Sequence, residues 1–143
     1  MDADIIIVGA GPAGLCLAKR LSGRQLRIMV LEQQTQEQLE APLFDGREIA
    51  LTQHSAKMMQ ELGLWDLIPS ADIAPLVDAK VIDGPSSFSM VIGHALGGRS
   101  ELGWLVSNHL IRQAAWLGVQ QAIAANADIT LLTGEKVRSE SVV

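Results

Sequence analysis

The segment Gly9-Ala10-Gly11-Pro12-Ala13-Gly14 restricts this chain more than any other feature. It follows the run Asp4 to Val8, whose unbroken β-branched character predicts a strand buried on both faces. It precedes a helical pattern in which Leu15, Ala18 and Leu21 share one face and Ser22-Gly23 closes the helix. Pro12 suits the first helical turn, where a missing N–H costs nothing. Leu26 to Leu31 is a second apolar strand. Residues 1–32 therefore read as one β-α-β unit with a right-handed crossover.

Each glycine in that turn has a physical task. Gly9 permits the sharp change from strand to helix, Gly11 leaves a pyrophosphate room against the backbone, and Gly14 lets the helix pack closely on the sheet. The open N–H groups at the helix start, with the positive end of its dipole, would face the phosphates. Glu32 ends the second strand at the spacing of a ribose-binding acid. Its carboxylate would accept from both adenosine ribose hydroxyls and repel a 2′-phosphate, which disfavours NADP here. The pattern predicts a site for the ADP part of a dinucleotide at Gly9, Gly11, Pro12, Ala13, Gly14 and Glu32; the alternative is a glycine turn with no ligand.

Beyond this unit the patterning changes. Gln33 to Ala41 is polar and glutamine-rich, and reads as a solvated loop. Thr52 to Leu62 is helical, with Ala56, Met59 and Leu62 on one side and Met58 and Met59 as expected core fillers. Gly63 closes it, and Trp65, Leu67 and Ile68 begin a short apolar segment. Leu76 to Ile82 and Phe88 to Ile92 read as strands around the turn Asp83-Gly84-Pro85, in an antiparallel sheet outside the nucleotide fold. Gly93 to Gly103 is loose and glycine-rich, and Gly103 to Val106 is extended. Ser107 or Asn108 would cap a long helix reaching about Ala125, and Ile129 to Thr133 is a strand ended by Gly134. The last residues, Val142-Val143, look like a strand or its approach, so a fragment of a larger protein is expected.

Composition narrows the function. A hydrophobic fraction of 48% supports a packed core, and a net charge of −5 with no basic run argues against a nucleic-acid partner. The single cysteine, Cys16, fits a reducing compartment and reads as a small buried side chain. The acidic start gives no sign of a secretory signal, and Ile5 to Ala18 is too short and glycine-rich to span a membrane. A cytoplasmic location is expected, with room for peripheral contact at the inner membrane face. His54, His94 and His109 lack metal-ligand spacing, so no metal is expected.

The β-α-β unit alone does not choose between FAD and NAD. The form G-A-G-P-A-G looks like that of flavoproteins. Residues 33–106 also intervene where an NAD domain would continue with a helix and a parallel strand. Within that excursion, Phe44-Asp45-Gly46-Arg47-Glu48-Ile49-Ala50-Leu51 leads to a helix ending in Leu62-Gly63. Glu61-Leu62-Gly63-Leu64-Trp65-Asp66 and Gly103-Trp104-Leu105-Val106-Ser107-Asn108 follow. Through these segments the chain resembles the ubiquinone-biosynthesis hydroxylases, a branch of the group A flavin monooxygenases that includes p-hydroxybenzoate hydroxylase.

That resemblance implies an α/β fold: a Rossmann-like FAD-binding βαβ unit with part of an antiparallel substrate-domain sheet, truncated relative to the family. Residues 1–32 would be the dinucleotide unit, 33–75 a loop and helix carrying Arg47, 76–106 partial substrate-domain strands, and 107–143 a helix and returning strand. Arg47 would contact the flavin nucleotide near its pyrophosphate, or else be a surface arginine. Asn108 would touch the flavin nucleotide, or else serve as a plain helix cap. The implied chemistry is oxygen transfer from dioxygen to a lipid-like polyprenyl phenol or quinol, with FAD as cofactor and NAD(P)H as transient electron donor. Association with a ubiquinone-synthesis complex is a further implication. The Gly-Asp segment expected further along the family is absent from the sequence, so the chain alone is not expected to hydroxylate, and no catalytic acid or base is assigned. The rival readings are an inactive truncated product, an NAD-binding module of a dehydrogenase, and another flavoprotein acting on prenyl lipids.

Overall fold

Ile5–Val8 forms strand β1, and Ile28–Glu32 forms β2 beside it in parallel, with Ile5 opposite Ile28 and Val8 opposite Leu31. A computed structural model gives the structure of residues 2–94, 98 and 100–137. The intervening helix α1, Pro12–Leu21, starts with proline in its first turn, and Ser22 N–H closes it on the carbonyls of Ala18 and Lys19. A third parallel strand, β8 (Ile129–Thr133), lies on the far side of β2, giving the order β1-β2-β8.

One face of this sheet is covered by α1 and by α4, Asn108–Ala124. Ile7, Ile28, Val30 and Ile129 meet Leu15 and Ala18 from α1 and Trp116 and Val119 from α4. Burying each large aliphatic side chain here contributes about 1.5–3 kcal/mol. The two helices approach closely because small residues line the contact. Ala18, Ala115 and Gly118 are buried, and Lys19 Nζ donates to Gly118 O at 2.9 Å. The expectation that β1 is buried on both faces is corrected. Ile6 and Val8 are each 59% exposed, because β1 lies at the sheet edge and no described element covers that side.

A second, antiparallel sheet has the order β3-β7-β4, from Glu48–Thr52, Gly103–Ser107 and Ile73–Leu76. Helix α3, Gln53–Glu61, begins at Thr52, whose Oγ1 accepts from Ser55 N–H at 3.1 Å. It packs Met59 with Leu64, Ile68, Val106 and Ile111 in a second core, beside which Trp65 and Trp104 stand edge to face. Met58, expected inside, is 45% exposed, since it lies along the groove between α1 and α3 rather than within that core.

Three other expectations change. The glutamine-rich stretch contains a short helix, α2 (Gln36–Glu40), where Gln38 Oε1 accepts from Thr35 N–H and Leu39 is 3% exposed. The buried leucine and that reciprocal cap hold a segment whose composition reads as loop. Residues 48–51, assigned to no element, and Thr52, read as the start of the helix, form β3, paired along its length with β7. The single strand expected over Leu76 to Ile82 breaks at Val77. Ile73–Leu76 pairs with β7, whereas β5 (Asp78–Ile82) pairs, among the described residues, only with β6 (Ser89–Gly93) in a separate hairpin. Part of the loose segment Gly93 to Gly103, and the chain end at Val142-Val143, lie outside the described residues.

Candidate functional site

At the carboxyl end of β1, Gly9 has φ +104°, a conformation that favours glycine, and its N–H donates to Leu31 O at 2.7 Å. A Cβ on Gly14 would lie 2.0 Å from Gly9 O, so the close approach of helix and turn requires glycine there. Around Gly11 the situation is the reverse. Its own chain neighbours aside, no heavy atom of the described residues lies within 4 Å of where a Cβ would sit. The turn is a cradle that the described residues leave open. Pro12 supplies no N–H, and the amides of Ala13 and Gly14, in the first helical turn, have no intrahelical acceptor. A diphosphate fits this arrangement in shape and in charge.

Glu32 completes the cradle's edge. Its Oε2 accepts from Ala10 N–H at 2.7 Å and its Oε1 from Gln34 N–H at 2.8 Å. The carboxylate is thus fixed against the turn, and each oxygen retains acceptor capacity for a sugar hydroxyl. A cleft of about 250 Å³ opens beside it, lined by Val8, Gly9, Leu31, Glu32, Gln33 and Lys136 among others. This lies past the carboxyl ends of the parallel strands, where open α/β sheets bind ligands. A larger cleft of about 470 Å³, lined by Gly23, Leu26, Asn126 and Asp128, lies at the amino ends instead and has no part in the cradle.

The other two expected residues, Arg47 and Asn108, are brought together by a residue that the sequence did not single out, Asp45. Its Oδ2 accepts from Arg47 Nε at 2.9 Å, Arg47 Nη2 at 2.6 Å and Asn108 Nδ2 at 2.8 Å. Its Oδ1 accepts from Arg47 N–H at 3.1 Å, and Arg47 O accepts from Asn108 N–H at 2.9 Å. The Arg47 guanidinium, then the Asn108 amide, hold the Asp45 carboxyl far below the usual carboxylate range. The plain cap reading of Asn108 is not what the geometry gives. Ser107 is the N-cap residue, and its Oγ donates to Glu48 Oε1 and accepts no hydrogen bond from the helix N–H groups.

Helix α4 links this cluster to the cradle. One turn beyond Asn108, Arg112 Nη2 donates to Gln34 Oε1 at 2.8 Å, and Gln34 is the residue whose N–H binds Glu32. Ile111, between them, lines a small groove with Pro12 and Ala13 at the start of α1. Asp45, Gln34 and Arg112 were not found from sequence. Their signals were the two-residue spacing of Asp45 and Arg47 and the i, i+4 placement of Asn108 and Arg112 on one helical face.

The remaining candidates stand apart. His54 lines a groove between α1 and α3 with Cys16, Leu17 and Met58. Burial pushes the Cys16 thiol up, which makes it less reactive. His94 Nδ1 lies 3.4 Å from Asp78 Oδ1 on the β5–β6 hairpin. His109 meets Phe44 edge to face at 5.3 Å, and its Nδ1 is buried with no partner among the described residues.

A parallel β-α-β sheet with an open glycine cradle after the first strand and an acid after the second defines a dinucleotide-binding domain. Over residues 2–136 the chain matches the FAD binding domain family, and it belongs to that family. The cofactor is therefore FAD, which decides between the FAD and NAD readings. The chain is 46% identical over 125 residues to the ubiquinone hydroxylase UbiM of Neisseria meningitidis serogroup C, covering 85% of this chain and 27% of that protein. It is 33% identical over 112 residues to the ubiquinone hydroxylase UbiL of Rhodospirillum rubrum, covering 78% and 26%. A flavoprotein/dehydrogenase from Cytophaga hutchinsonii shares the fold over 99% of this chain and 32% of its own, with a TM-score of 0.69 at 15% identity. The chain spans about a quarter of the length of the curated relatives it matches.

Proposed function

We propose that this domain serves an FAD-dependent aromatic-ring monooxygenase that hydroxylates a polyprenyl phenol or quinol in ubiquinone synthesis. The observation that carries this reading is the 46% identity over 125 residues to a ubiquinone hydroxylase, within a family match to FAD binding. When bound, the flavin supplies the activation of dioxygen that ring hydroxylation needs.

The chain's own residues bind and orient. Gly9, Gly11 and Gly14 shape the cradle, Pro12 sets the helix start, and the amides from Ala13 onward face the diphosphate. Glu32 accepts from the ribose hydroxyls. Arg47 neutralises the diphosphate from the other side, and Asn108 lies beside the flavin nucleotide. Residues 1–32 form the dinucleotide unit, 33–75 carry the Arg47 segment, 76–106 contribute strands towards the substrate, and the portion from residue 107 onward supplies the helix and returning strand. Among the described residues no helix is long and apolar enough to cross a membrane. A polyprenyl substrate resides in lipid, so we place the protein in the cytoplasm with peripheral contact at the inner membrane face.

The test is turnover of the intact protein with NAD(P)H, a polyprenyl phenol and heavy-isotope dioxygen. Isotope in the product ring supports the proposal. Reduction of substrate with no isotope incorporated would assign the protein to the reductases instead.

A further inference from the structure

We propose that Asp45 is a positioning residue for FAD, clamping one edge of the Arg47 guanidinium and the Asn108 amide so that the other edge of the guanidinium is presented to the cofactor's diphosphate. This rests on the reading that Arg47 meets that diphosphate.

The geometry separates the two edges. Asp45 Oδ2 takes the Nε and Nη2 side of Arg47, and no hydrogen bond to Nη1 is formed among the described residues. A guanidinium has donors on both edges, so a clamped Nε side leaves the Nη1 side aimed and available. Exposure follows the same division. The Arg47 side chain is 66% exposed and that of Asp45 28% exposed, while Asn108 is a buried polar residue. An ordinary surface ion pair has no such buried anchor and holds its arginine weakly. Here one oxygen collects a guanidinium edge and the amide of a residue 63 positions away, which ties the loop before β3 to the first turn of α4.

A carboxylate beside an anion site is unfavourable unless its charge is used. That makes the sign of its removal diagnostic. Were Asp45 only a nearby negative charge, neutralising it would strengthen binding of an anionic cofactor. Were it a positioning group, neutralising it would free the arginine and weaken binding.

The experiment is FAD titration of the intact protein, first stripped of flavin, for the wild type, Asp45→Asn, Asp45→Ala, Arg47→Ala and the double variant Asp45→Ala/Arg47→Ala. We expect Asp45→Ala to weaken FAD binding about tenfold, as loss of a charge-assisted contact does. Asp45→Asn, which keeps one acceptor oxygen, should weaken it less. In the Arg47→Ala background, Asp45→Ala should have no further effect. A merely structural role would weaken FAD binding equally in both backgrounds and lower the flavin-free melting temperature in step. Unchanged or tighter binding by Asp45→Asn and Asp45→Ala, with Arg47→Ala weakened, would overturn this inference alone. Unchanged binding by Arg47→Ala would overturn the Arg47 reading beneath it. If Asp45→Ala does not fold, Asp45→Asn in the two Arg47 backgrounds decides the same question.

Discussion

Asn108 Nδ2 donates to Asp45 Oδ2 at 2.8 Å, joining the first turn of α4 to a loop 63 residues earlier in the chain. Through α4 the same contact reaches the glycine cradle, because Arg112 holds Gln34 and Gln34 holds Glu32. The groups expected to touch the two sides of the cofactor are therefore set by one helix.

The glycines of the cradle should respond differently to substitution. Gly11 has open space around its missing side chain, so Gly11→Val should leave the flavin-free fold intact and abolish FAD retention by collision with the phosphates. A Cβ at Gly14 meets the backbone of Gly9, so Gly14→Ala should destabilise the fold itself by about 1–3 kcal/mol. Urea unfolding and bound-flavin content measured together separate the two effects.

Glu32 is held by two amides. Glu32→Gln turns one acceptor into a donor that faces an N–H, which should cost about 1–3 kcal/mol of stability in the flavin-free protein. The same variant should bind FAD more weakly. Chemical denaturation and FAD titration check the two parts separately.

The glycine turn, α1, both strands of the β-α-β unit and α4 were legible because each is written in contiguous residues with its own period and punctuation. The antiparallel sheet was not. Residues 48–52 become β3 only by pairing with β7, whose residues lie far along the chain, and the break at Val77 reflects two different strand partners. Helix α2 was hidden because Leu39 is its one buried residue, too little to set a period. At the candidate site, spacing alone placed Glu32 beside the glycine turn, where its Oε2 accepts from Ala10 N–H. Asp45 was not, because its importance comes from Asn108, a contact that local pattern does not encode.

The neighbouring methionines give a test of α3. Met59 is 5% exposed in the second core, and Met59→Ala should cost about 2–5 kcal/mol. Met58 is 45% exposed, and Met58→Ala should change stability by no more than about 0.5 kcal/mol. Equal losses in denaturant unfolding would contradict the helix's orientation.

Acid should weaken the fold through the start of β1. Arg27 donates through its side chain and its backbone N–H to Asp4, lowering that carboxyl from 3.8 to about 2. A carboxyl depressed in the folded state stabilises the fold above its ordinary value, and that contribution is lost as pH falls through the folded value. Asp4→Asn should therefore flatten the stability profile between pH 3.8 and about 2. An unaltered profile in that window, measured by denaturation at a series of pH values, would show that the pair contributes nothing.

The most direct measurement is the position of the FAD diphosphate in a crystal structure of the intact protein with its cofactor. We expect phosphate oxygens at hydrogen-bond distance, about 2.7–3.2 Å, from the amides that open α1, with the adenosine ribose hydroxyls on Glu32. Phosphates bound elsewhere, or the space beside Gly11 filled by a side chain, would contradict the account at its centre.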